Sequence, residues 1–366
     1  MSTRLEKATM KTLKMKAATG LLLGAAFLLG AAVLQAAPAP KASAGFVYTA
    51  NEKGNSISAI DVATGQVKTT AVRIAPHNVQ ASRDGRLLLA VGPVAAGGGG
   101  HAAHGASHGH GGGDERGRLL IFDTKTMTAK PAAGIAVGRH PAHVVIDRQG
   151  RRAYVTNAED NTVSVVDVAR RKVVASIKTG AYPHGLRISP NGRELYVANV
   201  QGNSVSVISV GRGREEKRIA VGKAPVQVGF TPDGRRAYVS LRDENRVAVV
   251  DTAQRKKVGT VTVGRNPIQV FATPNGRFVY VANQGSEANP ANTVSVISTA
   301  TNRVAATTVT GQGAHGVVVS DDGQRAFIAN IVDNTVSVMD TATHKVLRNI
   351  KVGKGPNGIT FRSAAR

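Results

Sequence analysis

The 366-residue chain has no cysteine and no tryptophan, and only 4% of it is aromatic. Without cysteine there can be no disulfide, thiolate metal site, cysteine nucleophile or lipid attachment through a thiol. With so few rings, burial must come from Val, Ile, Leu and Ala, which suit tightly packed sheets. Acid is also scarce, 23 Asp and Glu against 47 Lys and Arg, for a formal charge of +24. The sequence has no nucleophile–base pair, no Walker loop, no His-Glu-x-x-His motif and no haem or nucleotide motif. Gly105-Ala106-Ser107-His108-Gly109 spells a nucleophile elbow but lacks the strand–turn–helix context that gives such an elbow its meaning.

The N-terminus stands apart from the rest. Arg4, Lys7, Lys11, Lys14 and Lys16 precede an uncharged stretch, strongly apolar from Gly20 to Val33, and small residues follow at Ala36-Ala37. This order describes a secretory signal over 1–36, cut after Ala36, with a linker at 37–45. An uncleaved inner-membrane anchor is the alternative, since about 20 apolar residues span a bilayer. No second membrane segment follows, so a periplasmic or secreted protein is expected. Cleavage removes five basic residues and one acidic residue, a net +4, leaving +20 of the +24.

Beyond the linker the chain repeats. Tyr48-Thr49-Ala50-Asn51 recurs at Tyr154–Asn157, Tyr196–Asn199, Tyr280–Asn283 and Phe327–Asn330, with degenerate copies at Leu89 and Tyr238. The step is 42 residues from Tyr154 through Tyr280, then 47 to Phe327. Between Leu89 and Tyr154 it is 65, a repeat with 23 extra residues at 95–117. Each copy holds four apolar runs with strand alternation, and Asn-Gly or Asp-Gly between the first two predicts hairpins with both turn residues at positive φ. Seven four-stranded antiparallel units over 46–366 make an all-β, seven-bladed β-propeller. The C-terminal strand Gly358–Arg362 should pair with Phe46–Ala50 and close the ring, removing the edges of an open array.

These repeats, with Asn161-Thr-Val-Ser-Val-Val-Asp167 after the second full copy, resemble the YVTN (YncE-like) propellers. That resemblance implies an extracytoplasmic bacterial or archaeal propeller, whose relatives include haem- or quinone-enzyme subunits, lactonases and lyases. Fold is therefore informative and function is not.

Strand order sorts the candidate residues between two ends. If the inner strand is called a, the d–a and b–c connections share one end, the top, and the a–b and c–d turns share the bottom. His77, His143, His184 and His315 enter at d–a connections and should ring the top of the channel. Imidazole is the commonest transition-metal ligand; the plainer reading of any one is a turn cap or a solvated ring. The insertion carries His101, His104, His108 and His110 on a glycine-rich tract, also on the top. Such a tract suits Cu(II), Zn(II) or Ni(II), and equally suits incidental binding. The bottom turns carry Arg151, Arg152, Arg170, Arg171, Arg235 and Arg236, a field that attracts nucleic acid, an anionic polymer or a membrane surface. No aromatics interleave there for base stacking, and a solvated basic surface is the plainer account.

The expectation is thus a monomeric, non-catalytic binding or scaffold protein with a metal-associated top face for a protein or small-molecule ligand. A metal-dependent lyase or lactonase at the channel mouth, and polyanion binding by the bottom face, are the alternatives.

Overall fold

Val/Ser and Val/Ala alternation commits each repeat to strands, and a strand with one apolar side needs a neighbour to cover it. In the computed structural model, which describes residues 44–95, 116–129 and 134–364, that neighbour is the next blade. The sheets number seven, each built of antiparallel strands a to d from the axis outward. Blade 4 is typical: a is Pro183–Ile188, b Glu194–Asn199, c Ser204–Ser209 and d Arg214–Ala220. No α-helix occurs among the described residues, and no helix there is long and apolar enough to cross a membrane. The signal segment, the linker up to residue 43 and the four loop histidines lie outside the described residues. Blade 2 has its outer strand in two pieces, Thr128–Ala129 and Ile135–Arg139, both paired to Arg116–Asp123.

The ring closes as expected. Pro356–Ser363 is strand a of blade 1 and pairs antiparallel with Gly45–Asn51, placing Tyr48 opposite Thr360. Apolar residues of adjacent blades then form continuous clusters: Tyr196 and Val205 of blade 4 pack with Val228, Val239 and Val250 of blade 5.

The a–b hairpins differ from the expectation in one respect. Only the glycine is at positive φ, as with Gly192 at 74°, while Asn191 is not. The loop is four residues built on a turn in which the Gly192 N–H donates to Ser189 O at 2.8 Å. Asn191 instead uses its side chain, accepting from Ser189 Oγ at 2.7 Å and from the Arg193 N–H at 2.9 Å. A longer loop of this kind is built around an ordinary turn and needs one left-handed residue, not two.

The motif asparagine has a structural task. Asn199 Nδ2 donates to Ser204 Oγ at 3.1 Å and Ser206 Oγ at 2.9 Å, tying strand b to c. Asn51, Asn157, Asn283 and Asn330 repeat it. A Cβ on Gly180, just past the preceding strand d, would come within 2.6 Å of the Asn199 amide, so glycine is required there. Blade 5 replaces the clasp with buried Leu241.

Candidate metal centre at the channel mouth

Six of the seven a strands begin at or just after a proline, blade 7 starting instead at Ala314, and the two residues that follow enter the mouth of the channel. Two patterns occur. His184, His315 and Asn357 are each followed by glycine, whereas Ala142, Val226 and Ile268 are followed by His143, Gln227 and Gln269. The glycines admit the neighbouring blade: a Cβ on Gly316 would sit 2.7 Å from Asn357 O.

Three of the four expected histidines converge. The candidate ligand nitrogens of His77, His143 and His184 lie within 4.8 Å of one another. Their ring centroids are 4.8 to 5.7 Å apart. His77 and His143 are buried and His184 is nearly so. His315 is also buried, and its Nδ1 lies 3.1 Å from Asn357 O; it stands outside the group of three but its charge still bears on His143 and His184.

The rings' partners limit where their protons lie. Nδ1 of His184 lies 3.3 Å from Val226 O, so it carries the proton and leaves a lone pair on Nε2. Nδ1 of His77 lies 3.2 Å from Glu52 Oε1, to which it donates when protonated, and 3.1 Å from Asn357 Nδ2, from which it accepts when bare. The two Nε2 atoms face each other at 3.1 Å. With both protons on Nδ1, two lone pairs face each other there and repel unless a cation lies between them; with His77 protonated on Nε2 instead, the contact is an imidazole–imidazole hydrogen bond. A tetrahedral ion with Zn–N bonds of about 2.1 Å sets its nitrogens about 3.4 Å apart, close to this spacing.

Behind the pair is the support that metal-binding imidazoles use: a carboxylate for His77 and a backbone carbonyl for His184. Asn357 holds Glu52 in place, Nδ2 donating to Oε2 at 2.5 Å, while its buried Oδ1 has no protein partner. His143 is set differently. Gln227 Oε1 accepts the Val228 N–H at 2.8 Å, which turns its Nε2 toward His143 Nδ1 at 3.3 Å. As placed, His143 carries its proton on Nε2, and ligation through that atom requires the Gln227 amide to turn over. Burial, then the neighbouring imidazoles, hold His143 and His184 well below the ordinary histidine range, so both are neutral near pH 7.

The other top-face carboxylates are structural. Asp160 accepts from the Arg139 N–H at 2.8 Å, Glu244 from the Lys223 N–H at 2.5 Å and Asp333 from the Gln312 N–H at 2.8 Å. At the bottom, Arg152 and Arg170 share Asp167 at 2.5 and 3.0 Å, Arg236 meets Asp251 at 3.4 Å and Arg235 reaches Asp233 at 3.9 Å. Arg151 and Arg171 have no ion pair among the described residues. Gln227 and Arg187, both turned to the channel, escaped the sequence reading; a polar side chain inside an inner-strand run was the available signal.

A model of the YncE-like β-propeller family matches residues 119–337 and 287–366. Among curated proteins, none matches the sequence. Solved structures are similar in fold. Hydrazine synthase of Kuenenia stuttgartiensis is 21% identical with a TM-score of 0.66, over 81% of this chain and 97% of that one. A candidate 6-phosphogluconolactonase of Bacteroides uniformis is 15% identical with a TM-score of 0.70, over 87% of this chain and 100% of the other. The dihydro-heme d1 dehydrogenase NirN is 13% identical with a TM-score of 0.61, over 90% and 78%. At these identities the likeness concerns the fold alone.

Proposed function

We propose that this chain, which belongs to the YncE-like β-propeller family, is an exported, non-catalytic binding protein that holds a divalent transition metal at the top of its channel. Zn(II), Cu(II) and Ni(II) are the ions its all-nitrogen donor set suits. The observation that carries the reading is the facing Nε2 pair of His77 and His184 at 3.1 Å, each ring backed through its other nitrogen. Bound there, the metal supplies a Lewis-acidic centre for a ligand. His77 and His184 hold it, Glu52 and Val226 O orient the rings, and His143 is the third group at hand. Export rests on the basic and apolar pattern of residues 1–36. No second carboxylate stands at the mouth as a free general base, and the enzyme alternative gains no support from one.

Titration of the purified protein with Zn(II) and Cu(II), beside His77→Ala/His184→Ala and a variant lacking residues 97–113, separates the channel from the loop. The expected result is a tight site retained without the loop and lost in the double variant. Affinity that disappears with the loop alone, or is negligible throughout, overturns the reading.

A further inference from the structure

Below the histidines the channel holds a cation with no counter-ion among the described residues. Arg187 is four residues past the proline that begins strand a of blade 4, directly opposite Tyr196 of the repeat motif. The six corresponding residues of the other blades are Gln80, Val145, Gly229, Phe271, Val318 and Thr360, each opposite the motif aromatic or its replacement. One cation and no acid therefore make up this layer. The guanidinium reaches across the channel. It donates to Gln80 Oε1 of blade 2 at 3.3 Å and lies 5.7 Å from the ring centre of Phe271 in blade 6. Those blades stand on opposite sides of blade 4, so the group sits between them, near the axis.

Among the described residues Gln80 is its one hydrogen-bond partner, and no carboxylate pairs with it. A guanidinium presents five N–H donors in a planar fork, so most of this one's donors are unused by protein. Desolvation pulls its pKa down to about 10, the direction expected of an enclosed charge without an opposite partner. Its field is also among the causes that keep His143 neutral. A divalent ion at the histidines would add positive charge to the same enclosed space, where Glu52 is already engaged by Asn357 and His77. An anion entering that space would be attracted by both charges.

We propose that Arg187 and the metal at His77 and His184 together form the binding site of a small oxyanion, a carboxylate or phosphate, held in the central channel. The inference rests on the metal reading above and names the ligand class of that site. The metal would offer one oxygen a Lewis-acidic partner, and the guanidinium fork would take the others in a bidentate fashion that carboxylates and phosphates match and halides do not. His143, whose Nε2 carries a proton as placed, adds a donor to the same anion. Phe271 and Val318 give the layer an apolar wall, which keeps bulk water from screening the charge.

Co(II) provides the test, because its visible spectrum reports both occupancy and a change of ligand. Wild-type protein, Arg187→Met and Arg187→Lys are loaded with Co(II) in a buffer free of oxyanions and titrated with oxalate, inorganic phosphate and chloride. In wild type the spectrum should shift with oxalate or phosphate and not with chloride, and whichever saturates at lower concentration identifies the source. Arg187→Met should bind Co(II) within about threefold of wild type but need at least tenfold more oxyanion. Arg187→Lys, which keeps charge and loses the fork, should fall between them and serves also if the methionine variant does not fold. Metal bound with no oxyanion response, or the same response in all three proteins, overturns this inference and leaves the metal reading standing. No Co(II) bound by wild type removes both.

Discussion

The two ends of the propeller treat positive charge in opposite ways. At the bottom, arginines stand beside acids one strand or one turn away, as Arg152 and Arg170 do around Asp167 and Arg325 does with Asp340. Charge is paired where an acid stands near, and elsewhere, as at Arg151 and Arg171, it is left to water. At the channel, Arg187 has only the neutral Gln80 among the described residues, and burial keeps His143 and His184 uncharged. A formal +24 says nothing of this difference, because electrostatic meaning depends on burial and local pairing. The top is therefore the end at which a ligand changes most.

The largest effect should come from breaking the facing imidazole pair. His184→Ala removes one ligand and the mouth-side partner of His77, and should weaken Zn(II) binding at least about 100-fold, some 2.7 kcal/mol. Glu52→Gln should weaken it less, about 10-fold, because the ligand survives and only its support is lost. Calorimetric titration of both proteins checks the order. Equal losses would mean that Glu52 is itself a ligand.

The clasp behind the mouth comes next. Asn199→Ala leaves the Ser204 and Ser206 hydroxyls without their donor inside the blade, and should cost about 1–3 kcal/mol in chemical denaturation. The change lies outside the channel, so metal binding should stay near wild type.

Acidification tests the neutral histidines. Because burial holds His143 and His184 below their unfolded values, the unfolded chain takes up their protons first as pH falls. Their contribution to stability is complete above the unfolded pKa of about 6.5 and drains away as pH drops below it. The thermal midpoint should decline from pH 7 to pH 5, less steeply in His143→Gln and more steeply when Zn(II) is bound, because a metal-held imidazole takes up no proton in the folded state. A flat profile in wild type would show that these rings are not buried in neutral form.

Much of this was readable before any coordinates, and for physical reasons. The 42-residue period, the Val/Ser alternation and the orphan strand at Gly358–Arg362 are local signals, and each blade buries its faces by the same rule. The d–a connections put His77, His143, His184 and His315 at one end. They did not tell which would meet, because that depends on the second residue after the proline (after Ala314 in blade 7): glycine in blades 4, 7 and 1, but His143 and Gln227 in blades 3 and 5. Nor did they mark Arg187. A charge in an inner strand looks like any polar position until the ring closes and brings Gln80 and Phe271 from two blades away on either side. The motif asparagine was visible as a repeat, while its task emerged only with strand c and the Gly180 contact in place.

The smallest effect belongs to the bottom face, and it sharpens the contrast. Asp167 is held to about 2 by the backbone amide of Arg170 and then by the Arg170 and Arg152 side chains, so it stays ionised well into acid. Arg170 is 69% exposed, and an ion pair with one arm in water gains little over two solvated charges. Arg170→Ala should therefore change stability by about 0–1 kcal/mol at low salt, and the difference should vanish near 0.5 M salt, where the Debye length is only about 4 Å. Arg171→Ala, with no ion pair to lose, should be neutral in both conditions. Denaturation of the two variants at low and high salt checks this. A loss at Arg170 that survives high salt would mean that the bottom, like the channel, holds charge that water does not screen.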